Sequence, residues 1–307
     1  MPTPDLRRPG AGLVLLPPKA TSEPWGRQCS RRQGIPVFRY SSLMLRQISH
    51  GDVLELHFST FRSRAMRYGV SAYVTRDVLI DSGFPDIAPE LRAWLAANRI
   101  DGAIMTHGHE DHAGNVQSLV DHGIPVQMAA ATQTLVREPG HIGWYRRMVW
   151  GLYKPFHGVA KPFEHVALSL KPTIGHSPDH HVVWDAERGT VFGGDLFISV
   201  KVRIAHIDED IRGQVNALRD VASWNPERYF DGHKGLLPNP AKLLLAKASW
   251  IERMIGEIEA RVHRGWEDHA IRDDVLGRED LTGRVSFGDY SRINFVRSIR
   301  NSMASPT

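Results

Sequence analysis

The chain has 307 residues, 42% hydrophobic and 23% charged, with 27 Gly and 19 Pro, an ordinary globular composition with room for one large domain or two small ones. No run of about 18 apolar residues occurs, which rules out a transmembrane helix, and the single cysteine, Cys29, rules out a disulfide framework and a cysteine-built zinc site. The net charge of +4 sits unevenly: residues 1–50 hold eight Lys/Arg and two acids, while the rest holds thirty basic and thirty-two acidic side chains, so no broadly basic nucleic-acid surface is indicated.

Residues 1–45 are rich in Pro, Arg, Ser and Gly without an amphipathic period, and are expected to be a disordered or poorly packed extension. The run Leu13–Leu16 stops at Pro17-Pro18, too short for a secretory segment, and a cytoplasmic location is expected. Residues 46–240 alternate strand and helix patterns. Val53–Phe58 alternates like a half-buried strand, and Val70–Thr75 and Val78–Asp81 form a hairpin pattern about Arg76-Asp77. Residues 86–98 carry Ile87, Leu91, Trp94 and Leu95 at helical spacing. A strand at 102–106, a helix at 116–122 and a strand at 125–128 follow. Further strands are expected at 166–170, 181–184, 190–192 and 228–230, with a helix at 211–223. Residues 240–264 form a long amphipathic helix with Leu244, Ala248, Ile251, Ile255, Ile258 and Val262 along one face. Residues 241–307 are thus expected to be a helical C-terminal region.

The segment Thr106-His107-Gly108-His109-Glu110-Asp111-His112-Ala113-Gly114 carries the most chemistry. It places three imidazoles and a carboxylate within six residues, in a turn between a buried strand and a helix. Those donors suit Zn²⁺, Mn²⁺ or Fe²⁺. Three more donors stand at strand ends or in loops: His176 in Gly175–His180, Asp195 after Gly193-Gly194, and His233 in Asp231-Gly232-His233. Glu110, between the ligand-type residues, reads as a solvent-facing acid at a helix start. His50, His57, His122, His141, His157, His165, His206, His263 and His269 match no motif and read as surface or hydrogen-bonded histidines.

The ordered set HxHxDH, GH, GGD, GH over residues 50–240 resembles the metallo-β-lactamase-fold hydrolase superfamily, in its glyoxalase II-like and uncharacterised bacterial branches. The resemblance implies a mixed α/β, four-layer αβ/βα sandwich with a small C-terminal helical appendage. It implies that His107, His109 and His176 hold one metal, that Asp111, His112 and His233 hold a second, and that Asp195 bridges them. Asp81 matches a position that hydrogen-bonds a ligand from behind. Two divalent ions, zinc first with manganese or iron as alternatives, would lie about 3.5–4 Å apart and activate a bridging hydroxide. Asp111 and His180 are the candidate catalytic residues. His180 stands where many relatives carry a second histidine, with a hydrogen-bonded structural role equally open. The stretch Leu196–Ser199 departs from the Gly-Cys-Gly-Arg-like run of glyoxalase II and the persulfide dioxygenases.

Substrate contacts are expected from the aromatic segment 139–163, with Trp144, Tyr145 and Tyr153, and from Lys201. The expected function is hydrolysis of a thioester, ester or lactone carbonyl of a small molecule. The alternatives are a phosphodiesterase or endoribonuclease and a mononuclear Fe(II) dioxygenase, both of the same fold. The near-neutral body argues against polymeric RNA. No membrane partner is expected, and the oligomeric state is open.

Overall fold

The computed structural model describes residues 44–66 and 68–304, so the expected extension lies outside the described residues up to position 43. The first sheet contains β1 (Leu45–Ser49), β2 (Leu54–Phe58), β3 (Val70–Thr75), β4 (Val78–Ile80), β5 (Gly102–Ile104) and β6 (Val126–Gln127), hydrogen-bonded in that order. The pairs β1–β2, β2–β3 and β3–β4 are antiparallel, and β4–β5 and β5–β6 parallel. Arg76 and Asp77 both take positive φ, 52° and 58°, the geometry of a two-residue hairpin turn whose twist matches the strands. Helices α1 (Phe61–Ala65), α2 (Ala88–Ala97), α3 (Val116–Asp121), α4 (Ala130–Arg137) and α5 (Trp144–Trp150) accompany this sheet.

The second sheet runs β12 (Gly235–Leu236), β11 (Arg228–Asp231), β9 (Thr190–Phe192), β8 (His181–Asp185) and β7 (Leu168–Pro172). Here β9 and β11 are parallel and the other pairs antiparallel. Helices α6 (Ile211–Ser223) and α7 (Pro240–His263) pack on it, followed by α8 (Asp268–Val275), α9 (Leu281–Val285) and α10 (Arg292–Ala304). Two short strands, β10 (Ala205–His206) and β13 (Tyr290–Ser291), pair antiparallel and tie the C-terminal segment to the loop after β9.

Strand alternation assigns each side chain to a layer. On β4, Val78 and Ile80 enter the core between the sheets and Leu79 the core beneath the first helical layer. On β8, β9 and β11, Val183, Phe192 and Phe230 face inward to the same inter-sheet core, while Val182, Val191 and Tyr229 face α6 and α7. The first sheet's other face packs on Leu91, Trp94 and Leu95 of α2, Leu119 of α3 and Val149 and Trp150 of α5. Both sheets are covered on both faces, which gives the expected four-layer αβ/βα sandwich. Each fully buried Leu, Ile or Phe contributes about 1.5–3 kcal/mol. Among the described residues no helix is long and apolar enough to cross a membrane.

Candidate metal centre

The loops at one end of the two sheets converge. Asp81 follows β4, the His-rich turn follows β5, His176 lies between β7 and β8, Asp195 follows β9 and His233 follows β11. The turns are built for close approach. Gly194 adopts φ +49°, and a Cβ there would lie 2.9 Å from both His180 Nε2 and Thr106 Oγ1. A Cβ on Gly232 would lie 2.6 Å from His112 Cε1. Asp231 Oδ1 accepts from the backbone N–H groups of His233 and Lys234, both at 2.9 Å, which fixes the turn that presents His233. Asp179 clamps the two histidine loops together, accepting from Gly108 N–H at 2.7 Å, Thr132 Oγ1 at 2.8 Å and Ser177 Oγ at 2.7 Å.

Two groups of donors result. Ligand-type atoms of His107, His109, His176 and Asp195 all lie within 4.8 Å of one another, as do those of Asp111, His112, Asp195 and His233. Asp195 belongs to both. Its Oδ1 is 3.0 Å from His112 Nε2, and its Oδ2 is 3.4 Å from His176 Nε2 and 3.3 Å from His233 Nε2. Asp111 Oδ2 is 3.5 Å from His233 Nε2, and His109 Nδ1 is 3.1 Å from His176 Nε2.

The far sides of three of the imidazoles are anchored. His112 Nδ1 lies 2.8 Å from Asp81 Oδ2, and Asp81 Oδ1 accepts from the Thr106 N–H at 2.8 Å. The Thr106 hydroxyl donates to Asp81, so His107 Nδ1–H donates to Thr106 Oγ1 at 3.0 Å. His233 Nδ1 lies 2.7 Å from Gly69 O. These bonds turn the Nε2 atoms toward the cluster. His107 Nε2, His112 Nε2 and Asp195 Oδ1 are buried and make no well-aligned hydrogen bond among the described residues, although the last two face each other at 3.0 Å. Orphaned buried donor atoms of this kind need a partner, and a divalent cation fits them.

Burial first, and then the surrounding cationic groups, hold His107, His109 and His180 well below the usual histidine range, so all three are neutral at pH 7. Burial opposes charge on His112 and His233 as well. There the carboxylates prevail: Asp195, Asp111 and Asp81 raise His112 well above its usual range, and Asp195 and Asp111 push His233 up to about 9. Burial disfavours the charge on Asp195 too, but His233 and His112 hold its carboxyl well below the usual range. A cation held by the cluster would displace the protons on His112 and His233.

His180 is fully buried, with Nδ1 2.9 Å from Thr173 Oγ1 and Nε2 accepting from the Asp195 N–H at 3.1 Å. Both ring nitrogens are committed, and the residue sets the backbone of Asp195. Glu110 corrects the sequence reading. It is 2% exposed, not solvent-facing, and forms a two-pronged ion pair with the buried Arg146 of α5, whose Nε lies 2.5 Å from Glu110 Oε1. The backbone at Glu110 is a turn, with the helix starting only at Val116, so the expected helix-start role does not arise.

Two adjoining cavities open on the cluster. The smaller, about 210 Å³, is lined by Asp111, Asp195, His233, Tyr145, Glu209 and Tyr290 among others. The larger, about 790 Å³, includes Leu135, Ile142, Tyr153, His206, Asp208 and Asp289. His109, Arg146 and His176 line both. Of the four expected substrate contacts, Tyr145 and Tyr153 line a cavity. Tyr153 donates its hydroxyl to Val136 O at 3.0 Å. Trp144 is 49% exposed and packs on Phe287, and it and the exposed Lys201 line neither cavity.

Three site residues escaped the sequence reading. Glu209 Oε1 stands 3.5 Å from His176 Nδ1, and its Oε2 accepts from Gln214 Nε2 at 2.7 Å. His206 is no plain surface histidine. Its ring lies 6.3 Å from that of His109, and its Nε2 is 3.1 Å from Asp289 Oδ1. Tyr290 comes from the distant β13. An acid fourteen positions after Asp195 was the one available signal for Glu209.

Residues 67–233 match the sequence profile of the Metallo-beta-lactamase superfamily. A beta-lactamase-like protein 2 homolog of Caenorhabditis elegans is 25% identical over 167 residues, 52% of this chain and 52% of that protein. The chain spans about half the length of the curated relatives it matches. The crystal structure of a metallo-beta-lactamase family protein of Thermus thermophilus superposes with a TM-score of 0.61 at 15% identity, covering 82% of this chain and 94% of that one. That of the metallo-beta-lactamase FIM-1 from Pseudomonas aeruginosa, in a mono-zinc form, gives 0.52 at 19% identity, covering 68% and 96%. At these identities the likeness shows the fold.

Proposed function

The chain belongs to the metallo-beta-lactamase superfamily, and from that premise we propose that it is a metal-dependent hydrolase that uses two divalent ions to cleave a thioester, ester or lactone of a small molecule. The observation that carries this reading is the convergence of His107, His109, His176, Asp111, His112 and His233 about the shared Asp195, with orphaned Nε2 and Oδ1 atoms turned inward. The first three residues would hold one ion, the next three the other, and Asp195 both. The His/Asp donor set suits zinc, and zinc is named for the FIM-1 structure. Bound divalent ions supply Lewis acidity and an activated water.

The chain's own groups do the rest. Asp81 holds His112 so that Nε2 faces the cluster, and the Glu209 carboxylate stands 3.5 Å behind His176 Nδ1. Asp111 lines the small cavity; with Oδ2 turned to His112 and His233, its other oxygen is the one left to hold a proton during attack. The larger cavity has the size of a small-molecule site. Its wall carries Glu138, Asp208 and Asp289, and its one arginine, Arg146, is paired with Glu110. That lining favours a carbonyl substrate of low negative charge over a polyphosphate chain.

The test is metal content of the purified protein together with turnover on thioesters, lactones and bis-p-nitrophenyl phosphate. Two ions per chain with carbonyl turnover is the expected result. Turnover on the phosphodiester alone replaces the carbonyl reading with the phosphodiesterase one, and one iron without hydrolysis replaces both with the dioxygenase. Replacement of His109 or Asp195 by Ala is expected to lower turnover by several orders of magnitude with circular dichroism unchanged.

A further inference from the structure

Tyr290 lies 57 positions after His233 in the chain, yet its side chain lines the small cavity together with Asp111, His176 and Asp195. Its backbone is held there by pairing of β13 with β10, where Tyr290 stands opposite His206. Its ring packs 4.9 Å from the His206 ring, and the Arg146 guanidinium carbon lies 5.9 Å from its centroid. The ring is thus fixed from two sides by residues that themselves border the candidate metal centre.

The hydroxyl is the unexplained part. Among the buried phenols, Tyr73 and Tyr153 donate to backbone carbonyls, at 2.6 Å to Asp231 O and 3.0 Å to Val136 O, while the Tyr229 hydroxyl is enclosed in the core without a partner among the described residues. The Tyr290 hydroxyl, on a half-buried side chain, makes no hydrogen bond to any described residue. Tyr290 is half-buried in the cavity wall, so its hydroxyl is free to donate to whatever occupies the cavity. We propose that Tyr290 donates a hydrogen bond to the substrate oxygen that gains negative charge in the small cavity, so that the C-terminal segment completes the site. The assignment rests on the hydrolase reading above. A donor preorganised where charge develops lowers the barrier without itself changing during the reaction.

The phenol keeps its proton at neutral pH. Burial, and then the Glu110, Asp111 and Glu209 carboxylates against Arg146, carry it well above the usual tyrosine range. Tyr145 shares the cavity, with its ring 6.0 Å from that of Tyr290.

Tyr290→Phe removes the hydroxyl and keeps the ring, so packing on His206 and Arg146 survives. We expect kcat on the best carbonyl substrate to fall roughly 10²-fold, the cost of one such donor, with KM, metal content and melting temperature unchanged. A merely structural tyrosine would leave kcat where it was. Affinity of the metal-loaded protein for benzylphosphonate, an uncleavable tetrahedral anion, is expected to weaken about tenfold in the same variant. Unchanged kcat with unchanged phosphonate affinity overturns the assignment. A metal-loaded wild type that cleaves no carbonyl substrate overturns the hydrolase reading instead, and the phosphonate titration still decides the question of Tyr290.

Discussion

Asp81 adopts φ +62°, a left-handed conformation that an aspartate tolerates only at some cost. The gain is geometric. From that position one oxygen accepts from Thr106 and the other meets His112 Nδ1, so one carboxylate fixes two consecutive parts of the His-rich turn. Asp81→Asn keeps the size but replaces one acceptor by a donor and frees the His112 tautomer. Metal affinity is expected to fall about 10–100-fold, read by competition with a chromogenic chelator, and Glu209→Gln behind His176 is expected to weaken it in the same direction. Lys247 of α7 is a different case. It is 2% exposed and its ammonium donates to Leu196 O and Phe197 O at 2.8 and 2.9 Å, pinning the chain just after Asp195. Burial takes it down to about 8 against the pull of Glu209, Asp231 and Asp195. Below pH 8 both folded and unfolded forms hold the proton, and stability is indifferent to it. Between pH 8 and the unfolded value of 10.5 the unfolded chain binds more proton, so the folded state gains with rising pH. Lys247→Met lacks that slope. The wild type is therefore expected to gain on it by about 2 kcal/mol between pH 8 and 9.5, measured by urea unfolding at each pH. A constant difference would show that Lys247 is already neutral or remains fully charged throughout.

Among the elements, α5 shows how a helix of seven residues acts on the site through one side chain. Arg146 reaches 36 residues back to Glu110 inside the His-rich turn, and both partners are at least nine-tenths buried. Glu110→Gln or Arg146→Met leaves one buried charge unmatched. Each is expected to destabilise the fold by about 3–5 kcal/mol, whereas replacing both by apolar residues of like volume should cost far less, a double-mutant comparison by thermal melting. This pair also marks where sequence ceases to be legible. The repeating strands and the amphipathic α7 follow from local pattern: the expected helix at 211–223 and strand at 190–192 appear with those bounds. The motif histidines and aspartates meet because each sits at a strand end or in a turn that small glycines permit. The two-residue strands β10, β12 and β13 have no local pattern, since their order comes from tertiary pairing. Glu110, His206, Glu209 and Tyr290 were illegible for a related reason: their partners lie tens of residues away or their neighbours carry no motif, and burial alone decides their role.

At the scale of the whole molecule, the C-terminal segment is part of the sandwich. Phe295, Val296 and Ile299 of α10 join the apolar cluster that α6, α7 and α8 form on the second sheet, and Phe295 meets Trp250 at 6.0 Å. One residue earlier, the Asn294 side chain donates to Ala205 O at 3.2 Å, which locks β13 beside β10. The same helix therefore fills a core and sets the strand that carries Tyr290 toward the cavity. Phe295→Ala would remove a fully buried ring from that junction. The expected cost is about 3–5 kcal/mol, a drop in Tm of roughly 6–15 °C for a chain of this size. A peripheral appendage would instead shift Tm by less than about 2 °C. Because the ring packs in the core cluster and lines neither cavity, it touches the site only through α10 and β13. A site held by this helix should therefore also lose turnover at temperatures well below the melt, as β13 loosens before the sheets do. Retained turnover up to the onset of melting would mean that β10 and the Asn294 bond hold Tyr290 without help from the core.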